Sequence, residues 1–364
     1  MDGKEYLQYI KGLKEMMDPK NPGYSIYNSW NMTVPFNRRI RPNIVVLGAG
    51  ATMAAIPNGD KTGHKSSCMA GFLDVLGLTD YIRSLGLRVD SDNLETIYSE
   101  LYDRQKENTK FSEALDEVNN AIYNFYSQFR IPDHATMYDH LILSLNHNDA
   151  IATFNWDPLI VQAYCRIEKL IGWERLPMLL FLHGNVAEIV KLEGTKIGLN
   201  PDCRSDLRET YRKSKLLFPV KNKRYDQDPA IKKSWESLDS FLNSASVLTF
   251  IGYSAPESDA LAIELIKKAW ERREPHMKQI YVVDIKPEEE LYRAWSRFGS
   301  LDHFETFKSF YETPIAHFPR RVHNFYMDQF INCVFLDESH GINPSMSIEE
   351  AISLFAPFWR KKRL

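Results

Sequence analysis

The sequence predicts an α/β fold with a doubly wound, mostly parallel sheet and an inserted helical subdomain. Short apolar runs rich in β-branched residues alternate with helical segments, which is typical of a parallel sheet covered on both faces. The block 70–146 has no strand-like run and is far longer than a crossover helix needs, so it predicts the insert. A length of 364 residues suits one large α/β domain with an inserted or appended subdomain.

Composition limits the class of protein. Apolar residues make up 44 % and charged residues 26 % of the chain, an ordinary balance for a soluble globular protein. The net charge of −3 argues against a general nucleic-acid binder, so we expect nucleic-acid contact only indirectly through a partner. The longest apolar run is too short to span a bilayer, and the N-terminus lacks the apolar core of a signal peptide. We therefore expect a cytoplasmic protein with no membrane contact.

The four cysteines are scattered, and no two form a C-x-x-C pair. A structural zinc site made of paired cysteines is therefore not expected. In a reducing cytosol they should be free, partly buried thiols. They are Cys68, Cys165, Cys203 and Cys333.

The first strand is predicted at Ile44–Leu47, and Gly48-Ala49-Gly50 follows it directly. Residues 51–55 can then open a helix, whose first N–H groups would face a phosphate. The G-x-G-x-x-G fingerprint is incomplete because Met53 stands in place of the third glycine, and no Gly-Lys-Ser/Thr completes a Walker A loop. Alone, the stretch fits a nucleotide site and a plain strand–turn–helix corner equally well.

The block 70–146 carries three apolar stripes at helical spacing. Such stripes indicate packing more than function. They are Leu94, Ile97 and Leu101; Leu115, Val118, Ile122 and Phe125; and Tyr138, Leu141, Ile142 and Leu145.

Further strands and helices alternate after this block. The predicted strands are Ala150–Phe154, Met178–Leu182, Lys215–Phe218, Val247–Ile251 and Ile280–Val283. The predicted helices between them include Ile231–Asn243, Ala260–Arg272 and Pro287–Arg297.

Both ends of the chain are predicted to lie outside the main domain. A helix is expected at Tyr6–Met17, followed by an arm, and Ser347-x-x-Glu350 has the pattern of a capping box before an apolar helix. The basic end 360–363 is most simply a solvated tail, although contact with a partner or with nucleic acid is also compatible with it. The predicted division is 1–40 for the N-terminal helix and arm, 41–320 for the main domain and 321–364 for the helical tail.

Small polar and titratable residues follow the predicted strands. In an open parallel sheet, ligands bind outside the carboxyl ends of the strands, so these residues are candidates for one site. Each also has a structural explanation: a turn, a helix cap or a satisfied surface histidine. The candidates are Gly48, Ala49, Gly50 and Thr52 after the first strand, then Asn155 and Asp157, His183, Gly252 and Ser254, and Asp284.

The order of these motifs resembles the Rossmann-like NAD-binding domain of sirtuins. The resemblance covers about residues 40–300 and includes the Ile56-Pro57-x-Gly-Asp60 stretch after the first glycine turn. The pattern is most similar to the sirtuin-like proteins of bacterial antiviral defence systems. The resemblance implies two catalytic residues: Asn155, which would order substrate or water, and His183, which would be the base. It also implies contacts with the cofactor. Phosphates would be bound by Gly48, Ala49, Gly50 and Thr52, the carboxamide by Asp157, the ribose and phosphates by Gly252 and Ser254, and the adenosine side by Asp284, and Asp60 would also belong to the cofactor site.

Two departures from the family pattern concern the reaction. Deacylases of the family carry a zinc ribbon of two cysteine pairs, whereas residues 185–245 contain only Cys203. They also carry Phe-Arg after the proline–aspartate of the first loop, where this chain has Lys61-Thr62 after Asp60. These departures disfavour peptide deacylation and imply a site without zinc that cleaves NAD+ itself.

The resemblance therefore implies an NAD+ hydrolase that acts as an effector of antiphage defence. It also implies a homo-oligomer and a HerA-type hexameric ATPase as partner. Two alternatives stay open from the sequence. One is an NAD-dependent protein deacylase or ADP-ribosyl transferase, and the other is a non-catalytic subunit that binds NAD or ADP-ribose in a nucleic-acid-processing complex.

Overall fold

The computed structural model describes most of the chain. The predicted N-terminal helix and arm and the basic C-terminal end lie outside the described residues. The described residues are 41–66, 69–191, 197–204, 207, 211–218, 225–226, 228–256, 259–272, 278–298, 304–320 and 341–359.

A parallel sheet forms the centre of the fold, and a small antiparallel sheet lies beside it. Six strands are hydrogen-bonded in the order β3-β2-β1-β7-β8-β9, all parallel, and three more have the order β5-β4-β6. The predicted doubly wound, mostly parallel, Rossmann-like sheet is confirmed. The strands are β1 (Asn43–Leu47), β2 (Ala150–Thr153), β3 (Met178–Phe181), β4 (Glu188–Lys191), β5 (Ile197–Leu199), β6 (Tyr211–Lys213), β7 (Val247–Ile251), β8 (Gln279–Val283) and β9 (Phe304–Phe307).

Helices cover both faces of the large sheet. None of those in the described segments is long and apolar enough to cross a membrane. They are α1 (Ala49–Ala55), α2 (Phe72–Val75), α3 (Thr79–Ser84), α4 (Leu94–Arg104), α5 (Thr109–Ser127), α6 (Met137–Ser144), α7 (Leu159–Ile171), α8 (Pro229–Leu242), α9 (Ala260–Glu271), α10 (Glu288–Trp295), α11 (Pro314–His317) and α12 (Ile348–Trp359).

The continuous apolar run of β1 reflects burial on two sides. Val45 and Leu47 belong to the core that includes the inserted helices, whereas Ile44 and Val46 belong to the core under α8, α9 and α10. All four side chains are fully buried. Because successive strand residues point to opposite faces, a strand covered on both faces has no position that faces solvent.

The inserted helical block is confirmed between β1 and β2, where it contains α2 to α6. The predicted stripes face the core: Leu94, Leu101 and Val118 are fully buried, and Phe125 is half-buried. Asn93 begins α4 by accepting a hydrogen bond from the N–H of Glu95 at 2.8 Å. The helices thus form where an apolar stripe coincides with a capping side chain.

The strand predicted at Lys215–Phe218 is wrong. The strand in this region is β6, and the residues after it run beneath the His183–Gly184 turn without a ladder of their own. The N–H of Leu217 donates to the carbonyl of His183 at 2.8 Å. Leu216 joins one core and Leu217 the other, so the apolar run reflects passage between two cores rather than pairing in the sheet.

The C-terminal helix α12 contacts α6. Its predicted capping box is confirmed, since Ser347 Oγ accepts from the N–H of Glu350 at 3.1 Å and the Glu350 carboxylate accepts from the N–H of Ser347 at 2.7 Å. The segment before the helix is held by His140 of α6, whose Nε2 donates to the carbonyl of Met346 at 3.0 Å. Since a carbonyl only accepts, Nε2 carries the proton.

Glu188 begins the small sheet as a fully buried carboxyl group. Ser214 Oγ donates to its Oε2 at 2.6 Å, and Oε1 has no hydrogen-bond partner among the described residues. Burial raises the pKa of Glu188 to about 7, although the Ser214 hydrogen bond and the nearby Arg212 favour the charged form. The folded chain therefore retains a proton there that the unfolded chain releases near the ordinary pKa of 4.5.

Glu188→Gln should stabilise the protein at pH 8 and have little effect at pH 5. The raised pKa means that the stability of the native protein falls as pH rises from about 4.5 to about 7, and the neutral amide removes this loss. We expect a gain of about 3 kcal/mol at pH 8, measured by urea denaturation. The exposed Glu113→Gln is the control. Equal effects of Glu188→Gln at both pH values would contradict the assignment.

Candidate functional site

The strand order places a crevice between β1 and β7. Three strands, β1 to β3, extend to one side of this point and three, β7 to β9, to the other. This is the order of doubly wound dinucleotide-binding sheets, in which the ligand lies where the strand order reverses. The register pairs Leu47 with Thr153 and Ile251, so the carboxyl ends of adjacent strands lie level at one edge. The candidate residues after the strands therefore share one edge of the sheet, as predicted.

Three glycines, which we call the glycine junction, form the base of the crevice: Gly48, Gly50 and Gly252. The N–H of Gly48 donates to the carbonyl of Ile251 at 3.0 Å, and the N–H of Gly50 donates to the carbonyl of Gly252 at 2.9 Å. A Cβ on Gly252 would lie 2.2 Å from the backbone N of Ala51, and Gly252 has φ +58°. The glycines allow this close contact between two backbone turns, and the Gly50 N–H binds the neighbouring loop rather than pointing at an anion.

A buried polar network lies beside this junction, centred on Thr52 of α1. Its Oγ1 donates to Asp157 Oδ2 at 2.7 Å and accepts from Asn155 Nδ2 at 2.9 Å. Tyr138 OH lies 2.9 Å from the same oxygen, and because the single Thr52 proton goes to the carboxylate, the tyrosine is the donor. One hydroxyl thus joins residues from α1, α6 and the loop after β2.

The side-chain amide of Asn155 has a fixed orientation. Its Nδ2 also donates to the carbonyl of Gly48 at 2.8 Å, and since a carbonyl only accepts, the nitrogen must face it. No donor among the described residues reaches Asn155 Oδ1, and the residue retains 9 % exposure at the strand edge. The carbonyl oxygen is therefore a held acceptor for a hydroxyl or a water.

Asp157 is a buried carboxylate that caps a helix. Its Oδ1 accepts from the N–H of Leu159 at 3.1 Å, at the start of α7. Burial raises the pKa of Asp157 above its ordinary value, despite the hydrogen bonds from Thr52 and the backbone. Asp157 therefore does cap the start of α7, as one explanation of the sequence proposed. A contact with the carboxamide stays a prediction.

His183 lies at the end of β3 among aromatic rings. Its ring stacks on Tyr225, with centroids 6.0 Å apart and planes at 11°, and meets the edge of Phe154 at 4.8 Å. His183 Nε2 lies 3.8 Å from Asp259 Oδ1, and Tyr253 OH donates to Asp259 Oδ2 at 3.0 Å. Asp259 is thus the acidic group that lies beside the imidazole.

The two predicted catalytic residues lie on different sides of the strand edge. Asn155 faces α1 and α6, whereas His183 packs on the side of α8 and α9, and no hydrogen bond joins them. Asn185 connects their loops, since its Nδ2 donates to the carbonyls of Asn155 at 3.1 Å and Asp157 at 2.6 Å. A ligand in the crevice would lie between the two side chains.

Three predicted cofactor residues lie apart from this network. Asp60 is buried and accepts from the N–H groups of Thr62, His64 and Arg130 at 2.7 to 2.8 Å. Burial alone would raise its pKa, but these hydrogen bonds hold the pKa of Asp60 below its ordinary value. Ser254 is exposed after β7, and Asp284 is half-buried after β8. Cofactor contacts by these three residues stay predictions.

Sequence reasoning missed Tyr138, Asn185 and Asp259 as site residues. Tyr138 belongs to an apolar stripe that cannot be told from packing, although Asn185 directly follows His183-Gly184 and offered a signal. No group of three histidine, cysteine or carboxylate side chains suited to a metal ion occurs within the described ranges. Cys165 and Cys203 are free thiols whose pKa burial raises to about 11.

Gly252→Ala should destabilise the protein much more than Gly86→Ala. Both glycines have similar positive φ values, +58° and +66°, but a Cβ on Gly86 meets open space. We expect a cost of about 1 kcal/mol for Gly86→Ala and at least about 3 kcal/mol for Gly252→Ala, measured by urea denaturation. Equal costs would show that the glycine junction is not tightly packed.

Thr52→Val should destabilise the buried network at nearly constant volume. The change removes the donor to Asp157 and the acceptor for Asn155 and Tyr138. Leaving such buried groups unpaired costs about 2–3 kcal/mol. Thr109→Val, at an exposed position, is the control for differential scanning calorimetry. A loss no greater than that of the control would argue against the network.

No protein-family model matches the chain, and no curated protein matches it. Solved structures of Sir2 enzymes are similar to it in chain path. Sir2 bound to an acetylated peptide aligns with a TM-score of 0.34 and 13 % identity, over 80 % of this chain and 93 % of that chain. Sir2 with a p53 peptide and NAD+ gives 0.30 and 13 % over the same shares. Similarity at this level assigns no role to any residue of this chain.

Proposed function

We propose that this protein hydrolyses NAD+ to nicotinamide and ADP-ribose. The observation that carries the proposal is the fixed acceptor, Asn155 Oδ1, at the strand edge where the order of a dinucleotide-binding sheet reverses. A catalytic asparagine that orders water needs this arrangement, with its nitrogen held by the protein and its oxygen directed to the ligand. The sequence resemblance to sirtuin-type domains supports the choice of NAD+.

In this proposal the dinucleotide lies across the carboxyl ends of β1 and β7, where the strand order reverses. Ser254 and Asp284 follow β7 and β8 at exposed and half-buried positions, and in this proposal they contact the adenosine half. The nicotinamide ribose would then lie near Asn155.

The bond between the nicotinamide nitrogen and ribose C1′ breaks with oxocarbenium character. The pyridinium nitrogen keeps the bonding electron pair and leaves as neutral nicotinamide, so the leaving group needs no general acid. A water held by Asn155 Oδ1 bonds to C1′ and loses its proton to His183, which Asp259 stabilises in the charged form. The products are nicotinamide, ADP-ribose and one proton.

A non-catalytic NAD-binding role is the second candidate. It is favoured by the burial of His183, which is only 5 % exposed beneath Tyr225 and Phe154. A base that acts on water in the crevice requires these rings to move or the ligand to approach from the Asn155 side. Tight binding of intact NAD+ without turnover would support this candidate.

The proposal extends to a role in antiphage defence. Unregulated NAD+ cleavage would deplete the cofactor of the host cell, so the activity should be controlled by an oligomeric state or a partner. The sequence resemblance supports a homo-oligomer that acts in the cytoplasm with a HerA-type hexameric ATPase. Nucleic acid would then be contacted only through that partner.

Purified protein incubated with NAD+ should release nicotinamide and ADP-ribose, followed by chromatography. His183→Ala and Asn155→Ala should each lower kcat by on the order of 10²-fold or more, because each removes a group that acts on the attacking water. The matched controls are His134→Ala and Asn120→Ala, at exposed positions. Circular dichroism confirms that each variant is folded.

Full turnover by both His183→Ala and Asn155→Ala would overturn the mechanism. Wild-type protein that binds NAD+ but releases no nicotinamide, alone or with its co-purifying partner, would establish the binding role instead.

A further inference from the structure

A cavity lies beside α7, and none of its lining residues belongs to the glycine junction. This lateral groove has a volume of about 500 Å³, within the range of sites for small molecules. It lies between α7, the segment after α5 and the segment after β5. The charged side chains that line it are Lys61, Arg130, Asp133, Arg166, Lys169 and Asp202.

The carboxylates of the lateral groove already have partners. Asp133 pairs with Lys61 at 2.7 Å, and Asp202 pairs with Arg204 at 3.4 Å. Arg166 is likewise neutralised, because its guanidinium forms an ion pair with the buried Asp139. Two cationic side chains of the groove, Arg130 and Lys169, have no carboxylate partner among the described residues.

Arg130 is held in place by neutral acceptors. Its Nη1 donates to the carbonyls of Ser127 at 2.9 Å and Phe129 at 2.7 Å, and its Nη2 donates to the carbonyl of Asp202 at 3.3 Å. Carbonyls orient a guanidinium without cancelling its charge, and no carboxylate of the described segments forms an ion pair with it. The Nε–H and one Nη2 hydrogen are left for a ligand.

Lys169 supplies the second cation. It lies on the face of α7 that also presents Gln162 and Arg166, at the spacing of successive helical turns. Its side chain is exposed, and no ion pair joins it to a carboxylate within the described part of the chain. The groove therefore combines one fixed and one movable positive charge.

We propose that the lateral groove binds a small phosphorylated molecule. Arg130 supplies a planar group with paired donors, which suits phosphate oxygens, and Lys169 supplies a flexible point charge for the same group or a second one. The volume admits a ligand of metabolite size but not a folded macromolecule. This inference does not depend on the proposed NAD+ hydrolysis.

The groove is joined to the loop that follows α1. The N–H of Arg130 donates to Asp60 Oδ2 at 2.7 Å, and the N–H of Lys61 donates to the carbonyl of Arg130 at 2.8 Å. Asp60 in turn orders the turn that ends at His64. A ligand on Arg130 thus contacts the residue that holds this loop in place.

Isothermal titration of the full chain with inorganic pyrophosphate tests the inference. Lys169→Gln should weaken binding about tenfold, since it removes one charge-assisted contact, and Lys169→Glu should weaken it further. Lys106→Gln, at an exposed position outside the groove, should bind like the wild type. Arg130→Gln should abolish binding, with circular dichroism to confirm its fold.

Two results would overturn the inference. One is the absence of pyrophosphate binding by the wild type at millimolar concentration. The other is equal affinity of the wild type and Lys169→Glu, which would place the anion elsewhere, for example at the glycine junction. Because Lys169 has no part in the proposed chemistry, either result leaves the NAD+ assay to be judged separately.

Discussion

The close approach of two backbone turns at the glycine junction is the constraint on which the rest of the site depends. Gly48 and Gly50 follow β1, Gly252 follows β7, and their backbones lie too close for any side chain. This contact brings the start of α1 over the sheet edge and so places Thr52. Without it, neither the crevice nor the polar network beside it could have the described geometry.

The polar network beside the glycine junction fixes the orientation of the Asn155 side chain. A buried hydroxyl that donates once and accepts twice has no freedom left, so Thr52 fixes Asn155 from one side while the Gly48 carbonyl fixes it from another. Buried polar groups are costly unless all are satisfied. The same network that orients the acceptor therefore also makes the strand edge sensitive to substitution.

The sheet could be predicted from the sequence because burial on both faces leaves continuous apolar runs, as in β1 and β7. The strand ends could be found because the topology of parallel strands brings them to one edge. The strand predicted at Lys215–Phe218 is wrong because a segment that passes between two cores has the same apolar pattern as a buried strand. The weak pattern of β9, the small sheet and the role of Tyr138 depend on tertiary contacts that local sequence does not encode.

The pairing of β1 with β7 also has a consequence for synthesis on the ribosome. Asn43 of β1 pairs with Val247 of β7. The ribosome must therefore translate the whole helical insert before β1 can pair with β7. Pairings so distant in sequence form slowly, and domains complete folding only when their last essential strand has emerged. A nascent chain therefore has only one wall of the crevice until β7 has been made.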